Sequence, residues 1–218
     1  MKRVNPALVL LLAACSQSAE PTISEAPLER SWRFENGPLG EEPGSFESIT
    51  GEWRVALCED SPDGPKILVQ QPEEGAARKA LVLAKKFEWT DLLSSVSIQP
   101  LSDDSSSHGG IAFRVVDRSN YYCAIYDVPS RQFRLLKLVN GEEIELASGQ
   151  VELNLDKWHT ISVRMQGDRI QCLLDAGTPL SAVDETFRGP GRVGLCTGAT
   201  ALTRFDGFHV QELRTTER

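Results

Sequence analysis

What most constrains this chain is the period of its apolar residues. From residue 66 onward, Val, Ile, Leu and aromatic side chains recur at alternate positions in short runs separated by turn residues. KILVQQ, KALVLAKKF, DLLSSVSIQPL, GGIAFRVVD, NYYCAIYDV, QFRLLKLVN, EEIELAS, KWHTISVRMQG, RIQCLLDAG and GRVGLCTG all carry the pattern. It belongs to strands, whose successive side chains point to opposite faces. No segment of useful length repeats at the helical interval. Asn140-Gly141 sits between QFRLLKLV and EEIELA and is the favoured pair for a type I′ hairpin. Gly167-Asp168 joins WHTISVRMQ to RIQCLLD in the same manner. Many short strands with hairpin links predict one all-β domain, a two-sheet antiparallel sandwich or jelly roll.

The chain opens MKRVNPALVLLLAACSQSAE. Lys2 and Arg3 precede an apolar run, Ala7 to Leu12, too short to span a bilayer. The run ends Leu12-Ala13-Ala14-Cys15, and small residues before a cysteine resemble the lipobox of bacterial lipoproteins. That resemblance implies a signal peptide over residues 1–14 and a diacylglycerol on Cys15, anchoring the protein at the bacterial cell envelope without spanning the membrane. Ser16 does not act as an inner-membrane retention signal, which in a Gram-negative cell points to the outer membrane. The plainer alternative is an ordinary secretory signal with Cys15 incidental. Residues 15–30, polar and without periodicity, read as a flexible tether. Residues 31–218 remain for one sandwich domain, enough for a sizeable core.

Charge excludes some partners. The formal net charge is −8, and removal of Lys2 and Arg3 with the signal takes it to −10. An acidic domain without a basic cluster is a poor binder of nucleic acid or of anionic lipid, so membrane contact is expected through the Cys15 lipid only. Cys58, Cys123, Cys172 and Cys196 permit two disulfides in an oxidising compartment. Cys123 and Cys172 lie mid-strand among apolar neighbours, where cysteine serves as a small buried hydrophobe; that reading is preferred, with Cys172–Cys196 the pair to check.

The order of features along residues 31 to 213 resembles the concanavalin A-like, laminin-G-like jelly-roll superfamily. The likeness is carried by Trp32-Arg33-Phe34-Glu35, Gly51-Glu52-Trp53-Arg54-Val55, Gly110-Ile111-Ala112-Phe113-Arg114 and Asp117 to Tyr122. It continues in Trp158-His159 with Val163, Gly167 to Ile170, Asp184 to Phe187, Gly191 to Leu195, and Phe205 to Val210. Within that superfamily the chain is most similar to bacterial secreted domains named for 3-keto-disaccharide hydrolase activity, many without an assigned function. Fold does not carry function with it.

The candidate ligand residues lie in GGIAFRVVDRSNYYCAIYD. If the sheet packs its Phe113/Ile125 face on the core, then Arg114, Tyr122 and Tyr126 project from the other face, which in a jelly roll is often a concave groove. Aromatic rings stack on sugar rings, and arginine offers forked donors to hydroxyls or carboxylates. Asp117 and Asn120 would sit at the groove's end, although a hairpin turn explains them as well. Arg134 and Lys137 fall nearby on opposite faces of their strand. Trp89 is a further stacking residue or a core residue, whereas Trp53, Trp158 and His159 read as structural.

Catalytic motifs are absent from the sequence. Jelly-roll glucanases supply their acids as Glu-x-Asp-x-x-Glu, and the nearest stretch, Glu142-Glu143-Ile144-Glu145, departs from that spacing and reads as a charged edge. The loops LSDDSSSHGG and EDSPDG offer oxygens suited to a hard cation. Jelly rolls commonly carry a structural calcium where terminal strands meet, which puts Glu35 and Asp206 forward as metal ligands. The leading expectation is a lipid-anchored module that binds carbohydrate or another polyhydroxylated ligand. The alternatives are a glycoside hydrolase of the 3-keto-glycoside type and a structural module that binds protein partners.

Overall fold

The computed structural model describes residues 26–71, 79–101, 108–198 and 202–214. Cys15, the expected signal peptide and most of the expected tether lie outside the described residues, as does the centre of LSDDSSSHGG.

Among the described residues, fifteen strands form two sheets. The first contains β1 (Glu29–Trp32), β3 (Glu52–Leu57), β4 (Lys66–Gln71), β6 (Leu92–Pro100), β11 (His159–Gln166), β12 (Arg169–Leu174), β13 (Leu180–Val183) and β15 (Thr203–Glu212). The second contains β2 (Phe46–Thr50), β5 (Lys79–Ala84), β7 (His108–Asp117), β8 (Asn120–Asp127), β9 (Gln132–Val139), β10 (Glu142–Gln150) and β14 (Arg192–Gly198). The orders are β13-β12-β11-β6-β15-β4-β3, with β1 also on β15, and β10-β9-β8-β7-β14-β5-β2. Every strand pairing is antiparallel. The molecule is the expected jelly-roll sandwich.

Each sheet buries one apolar face against the other. Val96, Ile98, Ile161, Val163, Phe205 and Phe208 from the first sheet meet Ile111, Phe113, Tyr122, Leu135 and Leu195 from the second. Trp32 stacks on Phe208 at 5.3 Å between ring centroids, and Trp53 tilts against Phe205 at 5.7 Å. Such pairs add to what area burial contributes.

The β9–β10 turn is the expected type I′, with φ of 54° at Asn140 and 84° at Gly141. The β11–β12 turn differs. Only Gly167 has positive φ, 61°, which is the pattern of type II′, where the first central residue takes the glycine.

All four described cysteines are free and buried. Cys172 lies between the sheets, whereas Cys196 lies on the far side of the second sheet, so the Cys172–Cys196 pair is not bridged. Cys123 and Cys196, on the strands either side of β7, are free thiols in hydrogen-bonding contact on the far side of the second sheet.

Candidate functional site

The register of β7 against β8 corrects the face expected from the sequence. Phe113 pairs with Tyr122 and Ile111 with Ala124, so Tyr122 shares Phe113's face rather than opposing it. The Phe113 and Tyr122 rings stack at 5.6 Å inside the sandwich, and Tyr126 is buried in the same core. Ile125 turns outward with Tyr121 and Cys123. NYYCAIYD is apolar on both faces, so alternation shows two faces without saying which is inside. The Tyr122 hydroxyl donates to Asp184 Oδ1 at 2.6 Å, and that of Tyr126 to the Val151 carbonyl at 3.1 Å. Burial, with the bond to Asp184, pushes the Tyr122 pKa up to about 12.

Arg114 does not join a groove of tyrosines. A bulge between Phe113 and Asp117 puts it at φ 45° and turns its side chain inward, leaving 1% exposed. Its guanidinium donates to the carbonyls of Thr90 (2.9 Å), Phe187 (2.7 Å) and Gly167 (2.8 Å) and to Asp91 Oδ1 (3.2 Å). Three loops are thereby tied to one side chain. Its outer edge backs a small cleft of about 380 Å³ shared with Asp168, Glu185 and Arg188.

Asp117 and Asn120 shape the β7–β8 turn. Asp117 Oδ1 accepts the Ser119 amide at 2.7 Å, the largest influence holding its carboxyl below the usual range, and Asn120 Nδ2 bonds the same carboxylate. Asn120 Oδ1 also accepts the Asn140 amide at 3.0 Å, joining this turn to the next. Of the two basic residues on β9, Lys137 points inward to Asp184 at 2.6 Å, while Arg134 lies on the outer face with Glu145. Trp89 is buried in the core, and His159 is held between Asp175 and the Asn154 carbonyl.

Glu35 lies just beyond β1, and Asp206 lies on β15 beside a bulge at Gly207. Asp206 is fully buried and accepts the amides of Asp63 (2.8 Å) and Gly207 (2.7 Å). Burial, helped by the charges of Asp63 and Glu35, pushes its pKa up to about 6. Glu35 Oε1 accepts the Lys66 amide at 2.8 Å. Both carboxylates are thus already held by backbone, and no three Asp, Glu, His or Cys side chains gather around a metal position among the described residues.

The outer face of the second sheet was not singled out by the sequence. Leu81, Leu83, Ala112, Tyr121, Cys123, Ile125, Leu136, Leu138 and Cys196 form a second apolar cluster there. They face away from the partner sheet and yet are only 0–4% exposed. A pocket of about 940 Å³ opens on this face, lined by Thr50, Lys79, Leu81, Arg118, Tyr121, Leu138 and Glu143 among others. Lys79 Nζ meets Glu143 Oε1 at 2.6 Å. Burial works against both charges, but Cys123 and then Glu143 lift Lys79 above its ordinary pKa, and Lys79 holds Glu143 below its own. Tyr121's hydroxyl, unlike those of Tyr122 and Tyr126, has no hydrogen-bond partner among the described residues. Burial raises its pKa further. Two signals were present in the sequence, the outward alternation of Tyr121 with Cys123 and that of Glu143 with Glu145. Nothing local pointed to Lys79.

The site offers an apolar floor, the hydroxyls of Tyr121, Thr50 and Ser119, and an ion pair. A general acid needs a raised pKa, and the carboxyl of Glu143 is held low instead.

The fold is shared with solved structures. A carbohydrate-binding module, CBM66, from Bacillus subtilis superposes with a TM-score of 0.65 at 19% identity, over 80% of this chain and all of that one. A laminarinase from Rhodothermus marinus gives 0.62 at 13% identity, over 87% and 99%. A protein of unknown function from Shewanella oneidensis gives 0.60 at 16%, over 90% and 92%. No curated protein sequence matches significantly. Residues 67–213, about two thirds of the chain, match a family model described as "Galactocerebrosidase, C-terminal lectin domain". By that match the chain belongs to the galactocerebrosidase C-terminal lectin domain family.

Proposed function

We propose that this domain binds carbohydrate in the pocket on the outer face of its second sheet, tethered to the cell envelope through a lipid on Cys15. The observation that carries the reading is the Tyr121 hydroxyl: a polar group without a hydrogen-bond partner among the described residues, set among Leu81 and Leu138 and flanked by a lysine and a glutamate. Sugars present apolar C–H faces edged with hydroxyls, and such a surface answers both. Arg118 and Thr50 on the rim add donors. Membership of a lectin-domain family supports the same reading, as does likeness to a carbohydrate-binding module.

The test is a glycan array followed by calorimetric titration of the best hit, with Tyr121→Phe beside the unaltered domain. Loss of the hydroxyl alone should weaken binding by about tenfold, the worth of one hydrogen bond. Equal affinity in the variant, or no glycan bound at all, would overturn the proposal. For the anchor, Cys15→Ser should move the protein from the membrane pellet to the soluble fraction, and continued pelleting would refute it.

A further inference from the structure

Lys79 and Glu143 belong to distant strands of one sheet. Between β5 and β10 lie β14, β7, β8 and β9. At the usual spacing a flat sheet would put them about 24 Å apart, beyond the combined reach of a lysine and a glutamate. They meet at 2.6 Å nonetheless. The sheet is therefore cupped, and the ion pair crosses the cup from bank to bank.

What lies on either side of this crossing differs. On one side is the pocket, in whose lining Lys79 and Glu143 take part. Cys123, Ile125, Leu136 and Cys196 belong to the same outward-facing apolar floor but line no part of that pocket, and they are buried. Lys79 stands two residues from Leu81 on the same face of β5, and Leu81 is the cross-strand partner of Cys196, so the lysine side chain rises from the bank beside the thiols; their influence on its pKa agrees. We infer that Lys79 and Glu143 form a strap that ends the pocket, covers the remaining apolar floor, and so limits the length of saccharide the trough accepts. The covering role stands on geometry alone; the length limit rests on the carbohydrate reading above. An ion pair this exposed, 18% and 41%, is weak and is screened by salt, so the strap is one that can open.

The experiment is thiol alkylation of the folded chain with iodoacetamide, each cysteine followed separately by peptide mass spectrometry. Cys172, between the two sheets, reports any global loosening. Lys79→Met and Glu143→Gln should each speed labelling of Cys123 and Cys196 by at least about tenfold while Cys172 stays slow. The charge swap Lys79→Glu with Glu143→Lys should restore the slow rate, and high salt should speed labelling of the unaltered chain. Unchanged rates, rates that rise in step with Cys172, or a swap that labels as fast as the single variants would overturn the strap. In a second arm, affinities for gluco- and galacto-oligosaccharides are measured from disaccharide to hexasaccharide. The hexasaccharide-to-disaccharide affinity ratio should rise about tenfold in Lys79→Met and return in the swap. A ratio that does not move overturns the length limit. If no saccharide binds while labelling behaves as expected, the cover stands, and the length limit falls together with the carbohydrate reading.

Discussion

Arg114 shows how much of this fold can hang on one side chain. Its four bonds reach the loop before β6, the β11–β12 turn and the segment before β14, none adjacent in sequence. A guanidinium suits the role because it stays charged and fans its donors in one plane, even though burial lowers its pKa. Arg114→Met would keep most of the apolar stem but strand three carbonyls and leave Asp91 without its cation. Loss of one partner from a buried pair costs about 3–5 kcal/mol, and urea unfolding should register a fall of that order. A change below about 1 kcal/mol would show that water replaces the clamp. From the sequence Arg114 looked like a ligand contact, because a charged residue in a strand is assumed to face out. The bulge that turns it inward leaves no mark in the alternation of Ala112, Arg114 and Val116.

At the scale of strands, glycine marks where backbones must touch. A Cβ on Gly110 would land on the carbonyl oxygen of Ala124 in the neighbouring β8. Gly110→Ala should therefore force β7 away from β8 and destabilise the domain by about 3 kcal/mol, the upper part of the usual overpacking range. Thermal melting measures it, and a melting point within a degree or two of the parent would contradict the close approach. Most strands were legible from alternation, β4 to β12 and β14 among them. β3 alternates as well, with Trp53 and Val55 inward and Glu52 and Arg54 outward, whereas β1, β2 and β13 are short and half-exposed, and β15 is broken by the Gly207 bulge, so these four carried little period of their own. The inside–outside assignment of β8 failed for another reason: where both faces are apolar, a period of two has no sign. The pocket was hidden for a third, since the meeting of Lys79 with Glu143 depends on how far a whole sheet bends.

Over the whole molecule, two carboxylates set opposing responses to pH. Asp206 holds its proton up to about pH 6 when folded, against 3.8 as its ordinary value. Between those values the native state binds a proton that the unfolded chain has lost, so stability falls as pH rises from about 4 to 6 and is flat above. Asp184 runs the other way. Burial opposes its charge, but bonds from Lys137, Thr186 and Tyr122 hold its carboxyl well below the ordinary range, so its contribution is present above about pH 4 and lost as pH falls further. Denaturation across pH 3 to 7 should show Asp206→Asn losing the gain between pH 6 and 4, a difference of at most about 3 kcal/mol, while Lys137→Met flattens the fall below 4. Parallel curves for parent and Asp206→Asn would rule out the buried carboxyl as their source.

The four unpaired thiols carry a consequence for how such a protein is made. A sandwich closed by packing and by its β ladders asks nothing of the cell's oxidants, so the chain can reach its native form without waiting for a bond to be formed or reshuffled. Dithiothreitol should leave its melting curve where it was, and a drop of several degrees would reveal a bridge. Under the envelope location proposed above, an oxidising compartment would be a hazard to outrun rather than a step in maturation, and quick burial of Cys58, Cys123, Cys172 and Cys196 would keep the chain from being caught by its own sulfur.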